Sequence, residues 1–187
     1  MKYVLYSLCI AALLAAGCGD RLAPEPGIVP PQVALHRDAA NLTAPSLNAG
    51  TYEAAVRFSA ADLDTLIGRQ LVGVYFYFRE VPDETTVKIY RGTRGDSPDV
   101  LVYTGTASAA AESWNYHSLA TPVALQGDLW IAVGIGHSDR RRVVGCDPGP
   151  AVTDGDWLYD EIDGLWRTLR TRAPGVDINW NIRGVVE

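Results

Sequence analysis

From residue 70 onward, apolar residues recur at every second position, the spacing of strands that bury one face. Residues 85–91 alternate cleanly, with Val87 and Ile89 on one side, and residues 114–119 alternate again. Residues 71–78 (Leu-Val-Gly-Val-Tyr-Phe-Tyr-Phe) and 129–135 are apolar on both faces, the pattern of strands covered on both sides. Residues 100–104, 157–159, 165–166 and 178–186 are further strand candidates. Gly, Pro and Asp punctuate these runs, as in Pro82-Asp83-Glu84 and Gly92-Thr93-Arg94-Gly95-Asp96-Ser97-Pro98. One helix is expected. Ser59-Ala60-Ala61-Asp62 matches a capping box, Leu63, Leu66 and Ile67 follow at helical spacing, and Gly68 ends it. Roughly eight to ten short strands with one short helix predict an all-β, jelly-roll β-sandwich. Whether residues 32–52 pair into it or merely lead into it stays open.

The first residues follow a different pattern. Lys2 precedes an apolar run too short to span a membrane, and the run closes on Ala15-Ala16-Gly17-Cys18. This is a secretory signal whose end resembles a bacterial lipobox. The resemblance implies cleavage before Cys18 and lipidation of its thiol. Residues 1–17 are then a lipoprotein signal peptide. Residues 18–32 are the lipidated Cys and a Pro-rich tether, extended and stiff, and residues 33–187 are the folded domain. By resemblance to Gram-negative lipoproteins, Gly19 in place of Asp points to the outer membrane, with attachment through the N-terminal lipid only. Loss of the signal removes Cys9, so Cys146 is left as the sole free thiol and no internal disulfide can form. The formal net charge of −6 becomes one unit more negative without Lys2. That argues against nucleic acid and anionic lipid as partners.

Several segments carry a family resemblance, and they stand in order. They are Tyr75-Phe76-Tyr77-Phe78, Val87-Lys88-Ile89-Tyr90-Arg91-Gly92, Leu101-Val102-Tyr103, Ser113-Trp114-Asn115 and Thr121-Pro122-Val123. Leu129-Trp130-Ile131-Ala132 and Gly145-Cys146-Asp147-Pro148-Gly149-Pro150-Ala151-Val152 follow, then Gly155-Asp156-Trp157 and Asn179-Trp180-Asn181-Ile182-Arg183-Gly184. In that order they resemble the jelly-roll modules of secreted Bacteroidetes-type proteins, akin to the cleaved-adhesin (haemagglutinin) domains of gingipains. The resemblance implies a galactose-binding-like sandwich serving as an adhesin or accessory module, often with structural calcium. Such modules usually sit inside long proteins with a C-terminal sorting domain, whereas this sequence ends at Glu187 behind a lipobox.

Candidate chemistry concentrates in the last third. Asp147, Asp154, Asp156, Asp160, Glu161 and Asp163 crowd one stretch, and no Lys or Arg lies between Val143 and Trp166. Ca²⁺ favours carboxylates on flexible loops. Asp154 and Asp156 on a Gly turn, with Asp177 and Asn179 further on, are therefore candidate calcium ligands. All five tryptophans lie in the C-terminal half. Trp130 and Trp180 read as core, while Trp157 and Trp166 flank acidic, Gly-rich turns and are the candidate sugar-stacking residues. Arg94-Gly95-Asp96-Ser97 spells an integrin-recognition tetrapeptide in an exposed turn. The Arg140-Arg141-Arg142 triplet reads as a solvated loop. His36, His117 and His137 fit no metal-ligand spacing, and Cys146 reads as a small buried residue.

No nucleophile elbow, His-Glu-x-x-His or phosphate loop is present, so the chain does not read as an enzyme. The leading expectation is a non-catalytic, lipid-anchored cell-envelope module that binds a carbohydrate or glycoprotein. A structural or assembly lipoprotein of the outer membrane that holds a partner protein is the alternative. A small hydrolase comes third.

Overall fold

The structure is a computed structural model that describes residues 32–187. The expected signal peptide, Cys18 and the expected tether up to residue 31 lie outside the described residues.

Among the described residues, ten strands form two antiparallel sheets. They are β1 (Val33–His36), β2 (Gly50–Phe58), β3 (Gln70–Phe78), β4 (Glu84–Arg94), β5 (Ser97–Thr106), β6 (Ser113–Ala124), β7 (Leu129–His137), β8 (Trp157–Asp160), β9 (Leu165–Thr168) and β10 (Ile182–Val186). One sheet has the order β1-β10-β3-β6 and the other β5-β4-β7-β2-β8-β9. Among the described residues, β4–β5 and β8–β9 are the neighbouring hairpins; the chain changes sheet after β1, β2, β3, β5, β6 and β9. That wrapping of successive strands around one core is the jelly-roll pattern. Among the described residues no helix is long and apolar enough to cross a membrane.

The inner faces follow the alternation read from sequence. Val74, Phe76 and Phe78 of β3 meet Ile131, Val133 and Ile135 of β7, with Val87, Ile89 and Ile182 beside them. One continuous cluster running from Leu35 to Val186 joins both sheets.

Residues 33–36 belong to the sandwich, since β1 pairs with β10 from Val33↔Val186 to His36↔Arg183. Strand β2 was not expected, yet it lies between β7 and β8 in the larger sheet. It buries Tyr52, Ala54, Val56 and Phe58 in the core. The period of two was there, but Ala54 and Ala55 are weak strand formers and Glu53 and Arg57 break the apolar run.

The helix starts as its capping box predicts. The Ser59 side chain accepts from the Asp62 backbone N–H, and the Asp62 carboxylate accepts from the Ser59 N–H. It is only one turn, α1 (Ala60–Leu63), followed by a 3-10 turn over Asp64–Leu66. The tighter winding turns Ile67 out to solvent. A second short helix, α2 (Leu169–Arg172), was not anticipated; its Leu169 is buried. Residues 178–181 precede β10 as a connector in which Trp180 bridges Cys146.

A buried polar clasp closes one end of the sandwich. Asp147 accepts from the backbone N–H groups of Ala39, Gly149 and Asn179 and from Asn179 Nδ2. Asp38 accepts from Asn181 Nδ2 at 2.6 Å and from Arg183 Nε and Nη2. The segment after β1 is thereby tied to the segment before β10, with both buried carboxylates met by several donors.

Ile131→Ala removes a fully buried side chain from the centre of this core and is expected to cost about 2–5 kcal/mol. Ile67→Ala, at an exposed position, should stay within about 0.5 kcal/mol of the parent. Urea unfolding of both variants checks the contrast.

Candidate functional site: an aromatic face on the larger sheet

Because Leu129, Ile131, Val133 and Ile135 point into the core, β7 turns Trp130, Ala132, Gly134 and Gly136 to the outer face of the six-stranded sheet. Register sets their flanks. Trp130 lies between Tyr90 and Arg57, Ala132 between Lys88 and Ala55, Gly134 between Thr86 and Glu53, and Gly136 between Glu84 and Thr51. On β8 and β9, Trp157 pairs with Thr168 and Tyr159 with Trp166, both on the same face. A Cβ on Gly134 would sit 2.4 Å from Thr86 Oγ1, so glycine there lets Thr86 lie flat across the sheet. The result is a shallow trough of small residues next to a raised bank of aromatic rings.

The bank is held from beneath. Trp130, fully buried, packs at 5.0 Å from Trp157 and 5.5 Å from Trp166, ring centre to ring centre. Tyr159 and Tyr90 flank Trp166 at 5.6 Å and 6.3 Å. Trp130 Nε1 donates to Thr93 Oγ1, and Thr93 donates to Asp128. The Arg57 guanidinium lies 5.8 Å from the Trp130 ring centre, bonds Asp128 at 2.9 Å and pairs with Asp154 at 3.6 Å. Asp154, at φ +67°, accepts from Trp157 Nε1 at 3.0 Å. On the trough side, buried Glu53 accepts from Lys88 Nζ and from the Tyr90 hydroxyl, both at 2.6 Å. Burial, then the bond to Glu53 and its charge, push the Tyr90 hydroxyl far above its ordinary range, so it remains a donor.

The two candidate tryptophans are thus brought together, but not as two exposed platforms. Trp157 is only 8% exposed, its ring spent on Trp130, whereas Trp166 is half-buried and open along one side. Both line a hollow of about 330 Å³ together with Asp96, Arg167, Thr168 and Thr171. Asp96 comes from the β4–β5 turn, where Gly95 at φ +62° reverses the chain. Its neighbour Arg94 is taken by Asp99 at 3.0 Å, so the Arg-Gly-Asp-Ser stretch is a turn that delivers one carboxylate to the hollow. Thr168 and Thr171 share a hydroxyl–hydroxyl bond at 2.7 Å. Among the described residues Asp96 and Trp166 Nε1 have no hydrogen-bond partner. The hollow therefore offers an acceptor, a donor, two hydroxyls and an aromatic wall, a set suited to a hydroxyl-rich ligand. From sequence Asp96 stood out only within the Arg-Gly-Asp-Ser tetrapeptide and not beside the tryptophans, because it is distant from them along the chain and only the sheet brings them together.

The candidate metal ligands do not converge. Asp154 is held by Arg57 and Trp157. Asp156 is buried and accepts from the Arg170 backbone N–H, with the Arg170 guanidinium at 3.1 Å; burial raises its carboxyl despite Arg170. Asp177 caps the Ala151 N–H at 2.6 Å, and Asn179 belongs to the clasp around Asp147. Among the described residues no three His, Cys, Asp or Glu side chains are grouped so as to hold a metal ion. The stretch without Lys or Arg is neutralised from elsewhere in the chain, by Arg57, Arg167, Arg170 and Arg172. Arg140 and Arg141 of the basic triplet are engaged by Ser46, Asp83 and Asp139.

No known protein family matches the chain, and no curated relative matches it. Solved structures do. One is a clostridial cysteine protease, Cwp84, after propeptide cleavage, with 14% identity and a TM-score of 0.56 over 83% of this chain and 40% of that one. Another comprises the cysteine protease and lectin-like domains of Cwp84, a surface-layer associated protein of Clostridium difficile, with 13% identity and a TM-score of 0.57. It is matched over 83% of this chain and 36% of that one. The fold is shared with a bacterial cell-surface protein. At these identities the likeness concerns the fold alone, and this chain spans well under half the length of the chains it matches. The likeness to gingipain adhesin modules is not among these matches.

Asp128 organises the support beneath Trp130. Burial alone would raise its carboxyl, but hydrogen bonds from Thr93, Ala60 and Arg57, with the Arg57 charge, hold it below the usual range. A lowered folded pKa stabilises the fold above the unfolded value of about 4, and that contribution fades as pH falls through the folded value. Asp128→Asn is expected to lose roughly 1–2 kcal/mol at pH 7. The gap to the parent should narrow on going to pH 3, as read by urea midpoints at the two pH values.

Proposed function

We propose that this chain is a non-catalytic, lipid-anchored binding module of the bacterial cell envelope, and that it takes a carbohydrate chain or glycoprotein in the hollow beside Trp166. The supporting observation is that hollow. A half-open indole supplies a stacking wall, while the Asp96 carboxylate, the Trp166 N–H and the Thr168 and Thr171 hydroxyls supply donors and acceptors at its rim. Trp157 acts beneath the ligand, packed on Trp130, which in turn supports Trp166. The matched fold adds support, since one of its structures is described as including lectin-like domains. Placement in the outer membrane, attached through Cys18, rests on the lipobox and on Gly19.

The non-catalytic reading is supported by the state of the reactive groups. Cys146 is fully buried, and burial, then the charge of Asp147, push its thiol up to about 12. A nucleophilic thiol needs the opposite environment. Glu53 is already committed to Lys88 and Tyr90. Cys146 should fail to react with a thiol reagent at pH 8 in the native state and react at once in guanidinium chloride.

Binding is read by glycan array, followed by calorimetry on the sugars captured. Trp166→Ala and Asp96→Ala should each weaken binding about tenfold or more, with unchanged circular dichroism. Capture of no sugar by the parent, or equal affinity in both variants, would sink the reading. The carboxylate geometry further leads us to expect a thermal midpoint indifferent to EDTA and to added Ca²⁺. A calcium-dependent rise of several degrees would instead restore a metal site.

A further inference from the structure

Among the described residues β5 is the outermost strand of the larger sheet and pairs only with β4. It is 10 residues long, so its free edge extends roughly 34 Å. Val100, Leu101 and Val102 on it are 52%, 47% and 37% exposed. Three consecutive apolar residues face water because the pairing with β4 steps from Ile89↔Tyr103 to Tyr90↔Leu101, leaving Val102 as an unpaired bulge.

A long, exposed, apolar edge is a template for another strand, and soluble proteins guard such edges with short strands, lysines, prolines or covering segments. The other three edges here have such guards. β1 and β9 are each 4 residues long, β9 carries Arg167, and β6 has Pro122 within it. β5 has only its bulge and Pro98 near one end. Its sole charged residue, Asp99, is already paired with Arg94. The strand is also firmly anchored on its inner side, where the Tyr103 hydroxyl and His117 Nε2 of β6 lie 2.8 Å apart.

We propose that β5 pairs antiparallel with β5 of a second copy of this chain, joining two six-stranded sheets across a two-fold axis. The strand is complementary to itself. With the axis at Leu101, Leu101 faces its counterpart, Val100 faces Val102 and Asp99 faces Tyr103, so apolar residues meet and the two Asp99 carboxylates stay apart. A partner of different sequence would gain no such match, and two copies this acidic associate most readily along the stretch that carries least charge. The two-fold axis stands across the joined sheet, so both outer faces look the same way and both Trp166 hollows point to one side. That last consequence rests on the proposed glycan site; the pairing itself does not. Two hollows presented together would raise avidity for a repetitive glycan without any new contact.

Sedimentation equilibrium of residues 32–187, which contain the whole described core, tests the pairing. Twice the monomer mass is expected as concentration rises into the high micromolar range. Leu101→Lys and Val100→Lys, both at exposed sites, should each return the chain to monomer with unchanged circular dichroism and thermal midpoint. Tyr116→Lys, on the outer face of the other sheet, should leave the dimer intact. A parent that stays monomeric throughout overturns the proposal. So does a dimer that survives both β5 lysines, or one that is broken by Tyr116→Lys. If Leu101→Lys abolishes the dimer and single-sugar affinity is unchanged, while binding to a multivalent glycan surface drops at least tenfold, pairing and site are both upheld. Loss of the dimer with no sugar bound by any variant would overturn the site and leave the pairing standing.

Discussion

Strand β7 is buried on both faces, and the outer half of this protein is shaped by that constraint. Its inward residues hold the core, so its outward residues cannot be left as bare apolar surface. Two solutions appear along one strand. Where the outward residue is large, as at Trp130, the chain covers it with Trp157, Trp166 and Arg57. Where it is small, at Ala132, Gly134 and Gly136, neighbouring strands lean across it and a trough remains. The aromatic bank and the trough are two consequences of the same alternation, and the candidate site lies where the cover is incomplete, at the open side of Trp166.

Three buried carboxylates in this fold are each met by several donors. Glu53 answers Lys88 and Tyr90, Asp38 answers Asn181 and Arg183, and Asp147 answers four N–H groups. A buried carboxylate left alone would cost several kcal/mol, so each of these acids fixes the position of the segments that satisfy it. The clasp around Asp38 and Asp147 holds two segments more than a hundred residues apart in sequence. It also fixes Trp180, whose indole N–H bonds the Trp157 carbonyl, and so links the end of the sandwich to the aromatic bank.

Much of the sandwich was legible residue by residue. Val87 and Ile89 alternate in sequence and are buried together; residues 71–78 and 129–135 read as strands with two covered faces, and β3 and β7 sit inside their sheets. Strand β2 was not legible, because its register in the sheet, not its propensity, makes a strand of a segment rich in alanine and charge. Trp130 was legible as buried but not as an outer-face residue, since burial and facing are separate facts. The acidic run around Asp154 and Asp156 looked unneutralised because the arginines that answer it lie elsewhere in the chain. Asp96 looked like part of a recognition tetrapeptide because nothing local places it opposite Trp166.

By itself the sequence determined the class of fold, the positions of eight strands, the helix start at Ser59 and the burial of Cys146. All of these follow from short-range periods, caps and turn residues that act within a few positions of one another. The tertiary structure alone decided which tryptophan is covered and which is open, which carboxylates are spoken for, and which strand is left at an edge. Those outcomes depend on what stands beside a residue across the sheet, and strand order is set by the packing of distant segments around a shared core, not by local spacing along the chain.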